Sequence, residues 1–111
     1  MTVSLSPNFA NPERRAKTTV LVTGGTGFLG RYVTSALEAR GYERVIAVGS
    51  ADGDLVQPGA AERLLRETRP QLVIHLAARV GGIGANRERP AEFFYDNLMM
   101  GVQLLHECWR T

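Results

Sequence analysis

At 111 residues, 44% hydrophobic and 22% charged, the chain has the composition of one globular domain or part of one. Its net charge of +2 is mild, and twelve of its thirteen basic residues are arginines spread from Arg14 to Arg110 without a basic block, which argues against a nucleic-acid partner. A single cysteine, Cys108, excludes an internal disulfide and a cysteine-rich zinc site, and makes a reducing, cytoplasmic setting the expectation.

Residues 1–17 carry Pro7, Pro12, two asparagines and Arg14-Arg15, and lack the apolar core of a signal peptide. They read as a mobile leader ahead of a nucleotide-binding segment over 18–111, and no stretch is long enough to span a bilayer. Val20-Leu21-Val22-Thr23 then forms an apolar, β-branched strand that stops at Gly24-Gly25-Thr26-Gly27-Phe28-Leu29-Gly30, where a helical pattern begins. A strand, a tight glycine turn and a helix together make a pyrophosphate cradle. The turn brings backbone N–H groups close, and the helix N-terminus offers unpaired donors with a partial positive charge. Gly24 lets the chain leave the strand, Gly27 removes a side chain from the phosphate position, and Gly30 lets the helix pack closely on the sheet. The spacing is G-x-x-G-x-x-G, and its place between strand and helix makes it far stronger evidence than the glycines alone.

Along the helix, Phe28, Leu29, Tyr32, Val33, Ala36 and Leu37 recur at helical spacing and are expected to face a sheet, with Gly41 as its C-terminal glycine. Val45 to Val48 reads as a second strand ending at Gly49-Ser50. Pro58 fits the first turn of a helix with Ala61, Leu64 and Leu65 on its apolar side, stopped by Pro70. Leu72 to Leu76 is a third strand running into Ala77-Ala78, followed by a glycine-rich loop at 80–84. Pro90 opens the last helix, whose apolar face is expected along Phe94, Leu98, Val102, Leu105 and Cys108 or Trp109. Alternating strands and helices, with near-continuous apolar strands, predict an α/β fold. It is the N-terminal half of a Rossmann-type doubly wound parallel sheet (β-α-β-α-β-α), incomplete, with the strand at 71–76 left as an open edge.

The sequence T-G-G-T-G-F-L-G, then D-L, then H-L-A-A, then a helix with Y-x-N, resembles the extended short-chain dehydrogenase/reductases (the NAD-dependent epimerase/dehydratase family) from Thr19 to Arg110. Two features narrow the resemblance. Only Ala51, Asp52 and Gly53 separate the end of the second strand from Asp54-Leu55, where common sugar-nucleotide epimerases place a helix and a further strand. The run Ala77 to Asn86 (A-A-R-V-G-G-I-G-A-N), with Pro90-Ala91-Glu92-Phe93 and Asn97 after it, is similar to the GDP-L-fucose synthase family. That family reduces and epimerises GDP-4-keto-6-deoxy-D-mannose with NADPH. The resemblance implies that Gly24, Gly25, Thr26, Gly27, Phe28, Leu29 and Gly30 bind the phosphates, and that Asp54 accepts from the adenine amino group while Leu55 flanks the base. It further implies that Leu76, Ala77 and Ala78 lie along the ribose and pyrophosphate, that Val80 to Ile83 border the cofactor, and that Asn97 braces the central strand. A GDP-sugar substrate and a homodimer through the 91–110 helix are the implied partners. The family's catalytic serine and Tyr-x-x-x-Lys pair have no counterpart here and are expected downstream of Thr111.

His75, on an apolar strand, reads as a hydrogen-bonded core residue and His106 as a surface one. No histidine or carboxylate pair has metal-ligand spacing. Arg79 is either a phosphate contact or a solvated loop cation. Tyr95 is not a catalytic tyrosine, because Met99 stands where a lysine is needed, and Cys108 and Trp109 read as packing residues. The second strand ends in Val48-Gly49-Ser50 without the acid of an NAD enzyme, so NADP is the expected cofactor and NAD the less favoured one, with Ser50 able to donate to a 2′-phosphate. Against this, the turn has no basic residue at 25 or 26, and Asp52 can swing in. Two alternatives stay open: another sugar-nucleotide epimerase or dehydratase of the extended family, and a non-catalytic NAD(P)-sensing module.

Overall fold

The computed structural model describes residues 10–80 and 83–111. Residues 1–9 of the expected leader, and Gly81 and Gly82 of the expected loop, lie outside the described residues. The rest of the leader carries a helix, α1 (Pro12–Lys17). Asn11 caps it, its side-chain oxygen accepting from the Glu13 N–H at 2.9 Å with Pro12 at the first helical position, and Arg15 donates to the Arg40 carbonyl at 3.3 Å.

Three parallel strands follow: β1 (Thr19–Thr23), β2 (Arg44–Val48) and β3 (Leu72–His75), in the order β2-β1-β3. The centre goes to β1 because both its faces are apolar. Val20, Leu21, Val22 and Thr23 are all fully buried. With a period of two, Leu21 faces one layer and Val20 and Val22 the other. On the first side lie α3 (Ala60–Thr68) and α5 (Pro90–Arg110), with Ala61, Leu65, Met100 and Leu104 packed around Leu21 and Val48. On the second, Val20 and Val22 pack with Tyr42, against Leu37 of α2 (Phe28–Ala39).

Local chemistry sets the helix ends. Past α2, Gly41 at φ 92° lets the Tyr42 N–H reach the Leu37 carbonyl (3.1 Å) and its own N–H reach Glu38 (3.0 Å), which closes a Schellman cap with Tyr42 seated beside Leu37. Pro58 is not in the first turn of α3. It precedes a glycine at φ 81°, and the Ala60 N–H closes on the Gln57 carbonyl at 3.3 Å, so Gln57-Pro58-Gly59-Ala60 is a type II turn and the helix starts after it. Pro70 disfavours the right-handed helical region for the residue before it, and Arg69 leaves α3 in the left-handed region at φ 44°. A short helix, α4 (Ile83–Glu88), begins inside the segment read as a glycine-rich loop.

Two apolar faces differ from expectation. On α2, Phe28, Leu29 and Tyr32 are 84, 58 and 66% exposed, with Phe28 and Tyr32 packed edge to face at 5.3 Å. It is Leu37, near the other end of the helix, that packs with Val20 and Val22. On α5, the expected stripe of Phe94, Leu98, Val102, Leu105 and Trp109 is exposed, and Cys108 with it, while Met100 and Leu104 are buried. This helix is apolar on two sides, and periodicity alone does not say which side meets the sheet. Polar anchors do: Gln103 donates to the Val56 carbonyl at 3.0 Å, and Asn97 bonds Arg79.

Candidate cofactor cleft

The connection from β1 runs to one side of the strand and that from β2 to the other, so the C-terminal ends of β1 and β3 part where strand order reverses. In open α/β sheets that is where ligands bind. A cleft of about 810 Å³ opens there, walled by the strand ends Thr23, Val48 and Leu76, the glycine turn, and the 49–55 connection.

The turn's glycines divide into two kinds. A Cβ on Gly24 would meet the Leu76–Ala77 backbone at 2.8 Å, one on Gly25 would meet Ala47 at 2.7 Å, and one on Gly30 would overlap the Gly24 carbonyl. These three are glycine because protein occupies the space, and Gly30 packs against the turn itself rather than the sheet. Gly27 differs. Its backbone is ordinary (φ −79°), and a Cβ would find only the Gly24 carbonyl, at 3.4 Å. The space it leaves free belongs to the cleft. Gly27 is also the N-cap of α2 and supplies no capping side chain, so the N–H groups of Phe28, Leu29 and Gly30 have no intrahelical partner and edge the cleft.

Below the turn, the Thr23 hydroxyl accepts from the Leu76 and Ala77 N–H groups, each at 3.2 Å, and lies 2.6 Å from His75 Nδ1. His75 is therefore hydrogen-bonded, as expected, but it is exposed at the strand edge rather than in the core, and its partial burial lowers its pKa. Opposite the turn, the Val56 N–H at 3.1 Å and then the Arg79 guanidinium hold the Asp54 carboxyl below the ordinary carboxylate range, although Asp54 is largely hydrated. Arg79 bridges Asp54 at 2.7 Å and Asp96 at 3.3 Å, so it is neither a simple solvated cation nor a free phosphate ligand. Asn97 accepts from the Arg79 N–H at 2.7 Å and donates to its carbonyl at 3.0 Å. It thus braces the segment after β3, not the central strand β1.

Thirteen of the residues singled out in the sequence line this one cleft: Thr26, Ser50, Asp54, Leu55, Leu76, Ala77, Ala78 and Val80, with Gly24, Gly27, Phe28, Leu29 and Gly30. Gly25 does not. Its N–H is taken by the Val48 carbonyl at 3.0 Å, so it shapes the turn and offers no donor to a ligand. Two residues outside that set act beside the cleft. Asp52 accepts from the Gly49 N–H at 2.8 Å, which pins it, and Arg31 folds back to donate to the Thr26 carbonyl at 3.1 Å. Arg31 is hard to see in the sequence because it belongs to the helix and reaches the turn only across a helical turn. Among the described residues, no group of three or more His, Cys, Asp or Glu side chains could hold a metal ion.

Residues 20–111 match the NAD dependent epimerase/dehydratase family. The chain belongs to that family. Within it, the chain is 37% identical over 92 residues to the GDP-L-fucose synthase of Azorhizobium caulinodans, covering 83% of this chain and 29% of that one. Among solved structures, a GDP-L-fucose synthetase from Naegleria fowleri bound to NADP is 36% identical with a TM-score of 0.73, over 84% of this chain and 28% of that one. The UDP-glucose 4-epimerase of Thermus thermophilus in complex with NAD is 33% identical with a TM-score of 0.71, over 81% of this chain and 33% of that one. The chain thus spans less than a third of the curated relatives it matches. No helix among the described residues is long and apolar enough to cross a membrane.

Proposed function

We propose that this chain is the NADP-binding segment of an NADP-dependent reductase and epimerase of the GDP-L-fucose synthase type, acting on a GDP-sugar in a reducing, cytoplasmic setting. The observation that carries the reading is Gly27, whose missing side chain serves the cleft rather than the fold, beside three unpaired N–H groups at the start of α2. These groups fit a pyrophosphate, and Asp54 offers carboxylate oxygens to an adenine amino group. When bound, NADPH supplies a hydride to the sugar. The chain's own residues bind and orient it, and the serine, tyrosine and lysine that would handle the proton lie in none of residues 1–111. The short 49–55 connection favours this type over other sugar-nucleotide epimerases.

NADP is favoured over NAD by the lack of an acid at 48–50 and by the Arg31 cation at the turn; the pinned Asp52 carboxylate opposes it. A homodimer through α5 is supported by its exposed stripe from Phe94 to Trp109. The test of the reading is Gly27→Val, which puts a branched side chain where phosphate must sit while leaving the fold intact. Fluorescence titration should show NADPH affinity falling at least about tenfold, as loss of charge-assisted hydrogen bonds predicts. Unchanged affinity rejects the reading.

A further inference from the structure

Asp54 sits in a connection with little regular structure, where a hydrated carboxylate is ordinarily free to turn. Here it is not. One oxygen accepts from the Val56 N–H at 3.1 Å and the other is held by Arg79 at 2.7 Å. Arg79 is fixed in turn by α5 at two points. Asn97 clamps both of its backbone polar groups, and Asp96, the preceding residue, faces its Nε at 3.3 Å. A continuous path of polar contacts therefore joins α5 to the rim of the cleft. We propose that Arg79 is a positioning residue for adenine recognition, which fixes the Asp54 carboxylate in place and ties that wall of the cleft to α5. The proposal rests on the reading of the cleft as a dinucleotide site with Asp54 at the adenine.

Arg79 does not compete with the base for Asp54. A carboxylate has about four acceptor sites, and the Val56 N–H, Arg79 and a weaker contact from Gln57 do not fill them. Nor does the guanidinium draw phosphate to this wall, because two carboxylates already face it and leave the cluster of Asp54, Arg79 and Asp96 with a net negative charge. Such a rim suits an N–H donor. Holding the acceptor in place before binding reduces the ordering that binding must otherwise impose.

The experiment compares NADPH with its reduced hypoxanthine analogue, in which a carbonyl replaces the adenine amino group. Dissociation constants are measured for the wild type, Arg79→Met, Arg79→Lys and Asp96→Asn. The wild type should prefer NADPH about tenfold, the scale of one hydrogen bond to a charged acceptor. Arg79→Met should weaken NADPH about fivefold while hardly moving the analogue, so the preference collapses. Arg79→Lys should restore part of it, and Asp96→Asn should lower it less than Arg79→Met. Equal weakening of both cofactors, or full preference in Arg79→Met, overturns the proposal. If Arg79→Met does not fold, Asp96→Asn decides, and an unchanged preference there overturns it. A wild type that binds NADPH without preferring it over the analogue overturns instead the assignment of Asp54 on which the proposal stands, and a wild type that binds neither overturns the cofactor reading itself.

Discussion

The two ends of this molecule expose different things. At the cleft, the exposed groups are backbone donors at the start of α2 and a hydrogen-bonded set of side chains, Asp54, Arg79 and Asn97, whose geometry is tightly determined. Along the outer flank, what is exposed is apolar. Leu105 is 74% and Trp109 80% accessible, and a groove of about 800 Å³ runs between α5 and the open edge of β3, lined by Leu72, Val73, Leu105 and Cys108 among others. Unpaired donors around a hole describe a place for a small anionic ligand. An apolar stripe beside a strand edge with unpaired backbone groups describes a surface suited to protein. The contrast separates a polar end shaped around a cavity from an apolar flank.

Adjacent residues on α5 offer the strongest test of that division. Leu104 is 3% exposed in the core against Leu21, and Leu105 faces out. Leu104→Ala should cost about 2–5 kcal/mol of stability by transfer and cavity terms. Leu105→Ala should cost no more than about 0.5 kcal/mol in the isolated chain. Denaturant unfolding of both variants decides. A large loss from Leu105→Ala would show that the flank is already covered, and the contrast would fail.

How far the sequence foretells each region follows from the same physics. The cleft end is legible because its signals are local: a glycine turn between strand and helix constrains its own backbone, and thirteen of the residues read from sequence line one cavity. The three parallel strands were likewise legible, since β1 is apolar on both faces. The side of α5 that packs was not, because Phe94 to Trp109 and Met100 to Leu104 give two stripes of equal period, and side chains remote in sequence choose between them. Gln103 reaching Val56 and Asn97 reaching Arg79 are long-range pairings that no periodicity encodes. Arg31 was obscured for a related reason, since it acts on a backbone group five residues away, whereas for Asp52, which the sequence did mark, only the bond that pins it to the Gly49 N–H was hidden.

Within the cleft, Gly30 sets off the role of Gly27. Both belong to one motif, yet a Cβ on Gly30 overlaps the Gly24 carbonyl, whereas one on Gly27 meets only an ordinary contact. Gly30→Ala should therefore destabilise the fold by the roughly 1–3 kcal/mol of overpacking or somewhat more, since the obstacle is backbone and cannot swing aside. Thermal unfolding followed by circular dichroism should show a lowered midpoint in Gly30→Ala and a wild-type one in Gly27→Val. Equal midpoints would mean that helix and turn adjust freely, and the distinction between glycines that serve the fold and the one that serves the ligand would be lost.

The smallest effect belongs to His75, which stands where the two regions meet: its Nδ1 faces Thr23 beneath the cleft, and its ring lines the outer groove. The Ala77 N–H donates to the Thr23 hydroxyl, and the Leu76 N–H is shared between that hydroxyl and the Thr23 carbonyl at 3.0 Å; with its acceptor side so occupied, the hydroxyl hydrogen is best placed on Nδ1, the arrangement of a neutral ring with its proton on Nε2. Burial acts in the same direction and lowers the imidazole pKa below its ordinary value of about 6.5. Below that pH the unfolded chain binds a proton that the folded ring resists, so this contribution to stability is full above about pH 6.5, falls as the pH drops, and levels off beneath the folded pKa. The thermal midpoint should therefore drop more between pH 7.5 and 5.5 in the wild type than in His75→Gln, and the ring's proton resonance should titrate below 6.5. A midpoint at or above 6.5 would mean that the ring is charged and the Thr23 bond reversed. The same resonance also reports on the flank, because any protein surface laid over the groove removes more water from the ring and moves its titration further down.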